Sequence, residues 1–201
     1  MDIELSQDQA LELALKTLSS SGATEENAMP LAKGIIQAEI DGIKSHGFHY
    51  LPIYCLHLGC NKVNGNASPK KNHKSNVALS VDADNGFAHR AISIGFKDLI
   101  PSARENGIAS LGISNSYNCG VLGYHTKKLA EEKLIGIGFT NAPASIAPLG
   151  GIKPVIGTNP FSVAINNQGI VKILIDQSAS VVAKSEIAVR AKSGESIPTG
   201  W

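Results

Sequence analysis

The 201-residue sequence lacks several features that mark particular classes of protein. Its net charge is +1, and no stretch is rich in lysine and arginine, so the basic surface that nucleic-acid binding requires is not expected. No apolar run approaches the ~18 residues of a membrane span. The acidic start, "MDIELSQDQ", has no apolar segment of the kind found in signal peptides. These absences predict a cytoplasmic protein without nucleic-acid or membrane partners.

Cysteine is also scarce. The chain has three, Cys55, Cys60 and Cys119, and an odd number without an export signal predicts reduced thiols rather than a disulfide framework. The segment "CLHLGC" lacks the paired C-x-x-C spacing of a zinc site. The segment "DADNG" at 82–86 lacks the glutamate that completes a calcium loop, so a turn is expected there. We therefore expect no metal site.

The first sixty residues have helical periodicity. Helices are predicted over residues 6–21, 24–40 and about 49–58. Ser6 and Gln9 match a capping box, in which each side chain bonds the backbone N–H of the other residue. The segment that follows the second helix, "DGIKSHGFHY", is therefore expected at a junction between helices.

A polar, turn-rich stretch at 61–76 marks a change of pattern, after which apolar strands alternate with helices. Strands are predicted at 77–81, 108–114, 135–140, 161–165 and 171–175, and helices at 88–106, 120–133 and 180–193. This alternation indicates a layered α/β structure and, taken alone, suggests parallel strands.

Gly120 and Gly123 lie between a predicted strand and a predicted helix, within "NSYNCGVLGYH". Glycines in such a turn can let a phosphate approach the backbone and the helix N-terminus. Tight packing of the turn is the alternative, and the G-x-G-x-x-G fingerprint of Rossmann domains is absent from the chain.

Residues 141–160 form a predicted loop that contains four prolines and three glycines. A loop of this length inside a compact domain is either functional or a surface excursion. The prolines restrict its backbone, which would suit an ordered wall around a ligand.

The segment "KSHGFHY" contains the most reactive combination of side chains. His46 has an imidazole whose ordinary pKa is near neutrality, so it can donate or accept a proton during catalysis. The neighbouring Ser45 could orient that ring, although a polar residue at a helix end is the simpler interpretation of His46 alone. A serine hydrolase is disfavoured because the chain has no G-x-S-x-G elbow.

Six motifs occur in a fixed order along the chain: "DGIKSHG", "VDADNGFAH", "NSYNCGVLGYH", "APLGG", "IGTNPFSVA" and "DQSASVVAK…GESIPTGW". Together they resemble the malate/L-lactate dehydrogenase family of non-Rossmann nicotinamide oxidoreductases, and the resemblance covers essentially the whole chain. The family includes ureidoglycolate and sulfolactate dehydrogenases and the reductases of pyrroline- and piperideine-2-carboxylate.

The resemblance implies an α/β fold with two domains and a homodimer. A helical domain, residues 1–66, would carry the Ser-His-Gly motif. An NAD(P)-binding domain, residues 67–201, would contain a mixed, largely antiparallel sheet rather than a Rossmann sheet. The implied reaction is hydride transfer to or from C2 of a small 2-oxo or 2-hydroxy acid or a cyclic imine carboxylate, with NAD or NADP as the cofactor.

The resemblance also implies roles for individual residues. His46 would be the proton donor or acceptor, with Ser45 and Glu186 in its relay. Tyr50 and Thr158 would contact the substrate. The predicted cofactor-contacting residues are Asn118, Cys119, Gly120, Val121, Leu122, Asp176, Gln177 and Ser178.

The sequence departs from the family pattern at two places. Tyr50 stands where the family usually has an arginine, which would bind a substrate carboxylate through two parallel hydrogen bonds. The family also continues beyond the "IPTGW" motif at which this sequence ends, and without that part we expect exposed apolar surface. A non-catalytic member that keeps the fold, with or without cofactor binding, is therefore the alternative hypothesis.

Overall fold

The computed structural model describes residues 4–182, 187, 190–191 and 193–198. The chain forms two compact units, Met1–Val121 and Leu122–Trp201. The domain boundary expected between residues 66 and 67 falls within the first unit, and it stays a prediction.

Four α-helices build most of the first unit. Their bounds are α1, Gln7–Ser20; α2, Glu25–Ile40; α3, Leu51–Gly59; and α4, Ala88–Asn106. The capping box before α1 is confirmed, with hydrogen bonds of 3.2 Å from Gln9 N–H to Ser6 Oγ and 2.9 Å from Ser6 N–H to Gln9 Oε1. Helix α3 begins later than predicted because a short 3₁₀ turn, Phe48–Tyr50, precedes it.

The first unit also contains a three-stranded sheet in the order β1-β2-β3. The strands are β1, Lys70–Lys71; β2, Ala78–Asp82; and β3, Ser110–Ser114. Strands β2 and β3 are parallel and are connected through α4, whereas β1 pairs antiparallel with β2. Strand β1 was not predicted, because its two lysines lie in a polar stretch without apolar alternation.

The second unit contains one helix and an antiparallel sheet in the order β4-β5-β6. Its elements are α5, Leu122–Glu131; β4, Gly136–Phe139; β5, Phe161–Asn167; and β6, Ile170–Gln177. Strands β5 and β6 are joined by a tight turn in which Gln168 and Gly169 both have positive φ, the conformation that matches the twist of a hairpin.

These pairings confirm the mixed, largely antiparallel arrangement. The parallel winding suggested by the alternation of strands and helices is wrong except for β2 and β3, since β4, β5 and β6 pair antiparallel. The predicted helix at 180–193 lies largely outside the described residues, of which Ile187, Arg190, Ala191 and Ser193 are helical.

The main core of the first unit lies among α1, α2 and α3. Its fully enclosed residues include Leu18, Leu31, Ile35 and the ring of Tyr54, and Phe87 joins them from the start of α4. This core lies on both sides of the segment between α2 and α3.

None of the helices in the described part of the chain has the length and apolar character needed to cross a membrane.

Candidate active site

Two successive 3₁₀ turns, Lys44–His46 and Phe48–Tyr50, connect α2 to α3 and carry the Ser-His-Gly motif. The first turn is closed by a 3.0 Å hydrogen bond from His46 N–H to the Ile43 carbonyl. The prediction of a junction between helices is confirmed, and its backbone is hydrogen-bonded rather than open.

Glu39, on the last turns of α2, holds this junction and was missed by the sequence analysis. Its carboxylate accepts a 2.6 Å hydrogen bond from the Phe48 backbone N–H. The same carboxylate lies against Gly47, where an added Cβ would come within 2.0 Å of Glu39 Oε1. The glycine of the motif is therefore required by the close approach of Glu39, which no short-range pattern in the sequence indicates.

Ser45 and His46 are in direct contact. Ser45 Oγ lies 3.1 Å from His46 Nδ1, and both side chains are half-buried. A hydroxyl at this distance can orient the imidazole, so that Nδ1 faces Ser45 and Nε2 points away from it.

Tyr50 lies beside His46. The two rings are nearly parallel, with an interplanar angle of 14° and 6.4 Å between their centroids. The Tyr50 ring in turn packs against the edge of buried Tyr54, at 4.9 Å between centroids. The structure therefore brings together three of the predicted site residues, Ser45, His46 and Tyr50.

The loop that starts at Asn118 is held by hydrogen bonds to a single side-chain oxygen. Asn118 Oδ1 accepts a 2.6 Å bond from Gly120 N–H and a 3.3 Å bond from the Tyr54 hydroxyl. Burial is the main cause that raises the pKa of Tyr54, so this phenol stays protonated and donates. Tyr54, also missed by the sequence analysis, links the loop to α3.

Packing explains why residue 120 is glycine. Gly120 has φ +66°, and an added Cβ would lie 3.0 Å from Nε2 of buried His89 on α4. Cys119 Sγ points toward the Gly120 carbonyl, 3.9 Å away. The two residues of the predicted cofactor loop that follow, Val121 and Leu122, are the last of the first unit and the first of the second.

In the second unit, Asp176 on β6 occupies the N-terminus of α5. Its Oδ2 accepts a 2.6 Å hydrogen bond from Gly123 N–H. A Cβ on Gly123 would lie 3.0 Å from the same oxygen. A carboxylate at a helix N-terminus is stabilised by the helix dipole. Close packing therefore explains why positions 120 and 123 are glycine, and phosphate binding at this turn stays a prediction.

Thr158 lies against the end of the segment 176–178. Its carbonyl accepts a 2.8 Å bond from Ala179 N–H. Ser178 Oγ accepts a 3.3 Å bond from Ser180 N–H, and Gln177 is the last residue of β6, paired with Phe161. Four predicted residues, Thr158 and 176–178, are thus neighbours within the second unit.

The proline-rich loop at 141–160 has internal order. An isolated β-bridge joins Ile146 to Ile156, and Ala142 N–H donates a 2.9 Å bond to Asn159 Oδ1 near the base of the loop. Leu149 and Ile152, at its tip, are exposed. The loop is therefore a folded projection with an apolar tip.

Glu186, predicted to complete the relay, lies outside the described residues. The segment "DADNG" forms a turn in which Asp84 N–H donates a 2.9 Å bond to Asp82 Oδ1. Within the described ranges, no three histidine, cysteine or acidic side chains are grouped as metal ligands.

The predicted cofactor residues offer amide, carboxylate and hydroxyl groups through Asn118, Asp176, Gln177 and Ser178. Such groups fit the ribose hydroxyls and the carboxamide of a nicotinamide nucleotide. None of the eight predicted residues is cationic, so other groups would have to neutralise the phosphates.

Comparison with known proteins assigns the family. Residues 5–201 match the family model described as malate/L-lactate dehydrogenase. The (2R)-3-sulfolactate dehydrogenase (NADP(+)) of Chromohalobacter salexigens is 38% identical over 193 residues, which are 96% of this chain and 58% of that protein. The Delta(1)-pyrroline-2-carboxylate reductase 1 of Burkholderia ambifaria is 32% identical over 200 residues, with 100% of this chain and 59% of that protein covered.

Among solved structures, the delta1-piperideine-2-carboxylate reductase of Pseudomonas syringae superimposes with a TM-score of 0.92 at 29% identity. The match covers 98% of this chain and 59% of that protein. This chain therefore spans a little under three fifths of the length of these relatives. On the match to the family model, which extends over nearly the whole sequence, the chain belongs to the malate/L-lactate dehydrogenase family.

Proposed function

We propose that the chain acts as an NAD(P)-dependent oxidoreductase on a small carboxylate. It would transfer hydride to or from C2 of a 2-oxo or 2-hydroxy acid or of a cyclic imine carboxylate. The names of the relatives support this range, since they include a sulfolactate dehydrogenase and pyrroline- and piperideine-2-carboxylate reductases. The NADP(+) in the name of the sulfolactate dehydrogenase favours NADP as the first cofactor to test.

The observation that carries the proposal is the 3.1 Å contact between Ser45 Oγ and His46 Nδ1. With Nδ1 directed at the hydroxyl, the opposite nitrogen, Nε2, is the atom that would carry the transferred proton. The hydrogen bonds of the 3₁₀ turn and the Glu39 carboxylate fix the backbone on which this pair is built. Such pre-organisation is what a general acid requires.

The nicotinamide would supply the hydride. In the direction of reduction, His46 would deliver a proton to the substrate oxygen or nitrogen as negative charge develops there. Ser45 would hold the imidazole, and Glu186 would stabilise its cationic form. In the opposite direction, His46 would accept the proton.

The remaining predicted residues would bind rather than react. Tyr50 and Thr158 would contact the substrate. Asn118, Cys119, Gly120, Val121 and Leu122 would contact the cofactor through the loop that Tyr54 and His89 support. Asp176, Gln177 and Ser178 would do so from the end of β6.

We also infer a homodimer and a cytoplasmic location. The homodimer is supported by apolar side chains such as Ile137 and Phe139, which are exposed on the second sheet of this single chain. The cytoplasmic location is supported by the three cysteines, all of which are free thiols.

The test is a titration followed by a substrate panel. NADH and NADPH are titrated separately while their fluorescence is followed. Pyruvate, an α-keto diacid and pyrroline-2-carboxylate are then added in turn while the nicotinamide absorbance is measured. We expect one reduced cofactor to bind and to be oxidised with at least one of the three acids.

Binding of a cofactor without oxidation by any of these acids would favour the non-catalytic alternative. Failure of both NADH and NADPH to bind would contradict the proposal. Hydrolysis of activated esters, abolished in Ser45→Ala, would instead support the disfavoured hydrolase.

A further inference from the structure

The position of Tyr50 raises a problem of anion recognition. A carboxylate has two oxygens, each of which accepts hydrogen bonds, whereas a phenol provides one neutral donor. If Tyr50 contacts the substrate carboxylate, as the proposed function requires, the second oxygen needs another donor nearby.

Two further tyrosines lie close to Tyr50, and one of them is already engaged. Tyr54 packs edge-on against Tyr50 and against Tyr117, with centroid distances of 4.9 Å and 6.1 Å. The Tyr54 hydroxyl donates to Asn118, so it is committed to the loop. Tyr117 is the other neighbouring phenol, and its hydroxyl interacts with that of Tyr50.

Tyr117 is held in place by His57 of α3. His57 Nδ1 and the Tyr117 hydroxyl form a short hydrogen bond, and the two rings meet edge-to-face at 5.5 Å between centroids. Phe87 packs against Tyr117 from another side, at 6.0 Å. The Tyr117 ring is therefore held on two sides, by His57 and by Phe87.

The protonation states leave Tyr117 able to donate. Burial, followed by the proximity of Tyr50, raises the pKa of Tyr117, so its hydroxyl keeps its proton. Burial, followed by the charge of Lys62, lowers the pKa of His57, which favours a neutral imidazole. A neutral imidazole with its proton on Nδ1 would donate to the Tyr117 oxygen. The Tyr117 O–H, which interacts with the Tyr50 hydroxyl in this structure, would then turn to a ligand that binds beside both phenols.

We propose that Tyr50 and Tyr117 together form the subsite for the substrate carboxylate, with His57 as the residue that positions Tyr117. Two neutral hydroxyls would each donate one hydrogen bond to one carboxylate oxygen, in place of the two parallel bonds of an arginine. The nearly parallel ring of His46 lies beside Tyr50. This places the carboxylate next to the proton donor, as in a 2-oxo or 2-imino acid, whose carboxylate is bonded directly to C2.

The inference rests on the proposed function and adds two residues, Tyr117 and His57, to which neither the sequence motifs nor the family resemblance gave a role. The two residues are 60 positions apart, so no local pattern could have paired them. The subsite lies entirely within the first unit.

The test compares Tyr50→Phe and Tyr117→Phe, which remove only hydroxyls. Tyr124→Phe in the second unit is the matched control, because Tyr124 contacts Lys128 through its ring, which phenylalanine retains. KM, kcat and the Kd of NADPH are measured for the acid that the panel identifies. We expect each of the first two variants to raise KM about tenfold or more, the size of one hydrogen bond to a charged group. Their kcat and NADPH Kd should stay within about twofold of the wild-type values, as should all three constants of the control.

The role of His57 has its own readout. His57→Ala should raise KM by a smaller factor than Tyr117→Phe, and His57→Asn, whose amide nitrogen takes the place of Nδ1 and can still donate to Tyr117, should restore most of the loss. A purely structural His57 would lower thermal stability in both variants and would leave KM unchanged.

The outcomes separate this inference from the proposed function. If the wild type turns over and Tyr117→Phe keeps the wild-type KM, the subsite is wrong while the oxidoreductase stands. If NADPH binds without turnover, the Kd of oxalate for the NADPH complex is compared instead, and equal values in wild type and Tyr117→Phe overturn the subsite. If neither cofactor binds, the proposed function fails and the subsite fails with it.

Discussion

The two units of the chain differ in how completely they enclose their apolar residues. In the first unit, the core among α1, α2 and α3 is closed, and Leu31 is 0% exposed. In the second unit, one face of the β4-β5-β6 sheet packs on α5, where Ser162 is 0% exposed and lies 2.7 Å from Thr126 Oγ1. On the opposite face, Ile137 is 55% and Phe139 is 75% exposed.

The strand register shows that this exposed surface is continuous. Ile137 pairs with Val163, which pairs with Ile175, so the three form one row across the sheet. Sheets that are apolar on both faces are normally covered on both. The two units therefore differ in how far their apolar side chains are buried. The predicted proton-donor residues, Ser45 and His46, lie in the unit whose main core is buried, whereas the sheet that ends at the predicted cofactor residues has one exposed apolar face.

A core truncation gives the largest expected effect. Leu31→Ala should lower the free energy of unfolding by about 2–5 kcal/mol, because it leaves a cavity in closely packed surroundings. Ile137→Ala, on the open face, should cost less than about 1 kcal/mol in dilute protein, since that side chain is already more than half exposed. Urea unfolding of both variants measures the difference, and equal losses would contradict the contrast between the units.

A substitution at the motif glycine should have an intermediate effect. In Gly47→Ala the new methyl group displaces the Glu39 carboxylate and deprives Phe48 N–H of its partner, at a cost of about 1–3 kcal/mol. Gly59→Ala is the matched control, because a Cβ there has nothing within 4 Å, and it should be neutral or slightly stabilising. Thermal unfolding compares the two, and a neutral Gly47→Ala would show that Glu39 does not hold the junction.

The smallest expected effect concerns self-association. Phe139→Ser should weaken the proposed homodimer by roughly tenfold, about 1.4 kcal/mol, because it removes apolar area from the exposed sheet. Ile108→Ser in the first unit, where Ile108 is 78% exposed, should leave association unchanged. Sedimentation equilibrium over a range of concentrations provides the measurement. The same shift in both variants would mean that the sheet face is not the specific contact.

Features set by neighbouring residues could be predicted from the sequence. The capping box of Ser6 and Gln9 located the start of α1, and Gly107, which has φ +80°, ended α4 at the expected residue. Strand direction could not be predicted in this way, because the pairings of β4, β5 and β6 depend on the course of the chain between them. The family resemblance supplied that information.

The residues of the candidate site likewise include some that local sequence reveals and some that only the fold brings together. The motif showed His46 and Ser45, which are adjacent in the sequence. Gly123 and Asp176 are 53 positions apart, and Tyr54 and Asn118 are 64 apart, so only the fold reveals that each pair is bonded. Glu39 carries no motif of its own, and its role follows from the 2.6 Å bond to Phe48 N–H.

The central claim is that a proton passes through the imidazole of residue 46, and a single-turnover experiment with His46→Ala tests it most directly. NADPH is bound first, the accepted acid is mixed in, and the loss of nicotinamide absorbance is followed in the wild type, in His46→Ala and in Ser45→Ala. We predict an unchanged NADPH Kd in both variants, a rate in His46→Ala lower by about 10²–10⁴-fold, and a smaller loss in Ser45→Ala. A rate in His46→Ala within a few fold of the wild type would contradict the account.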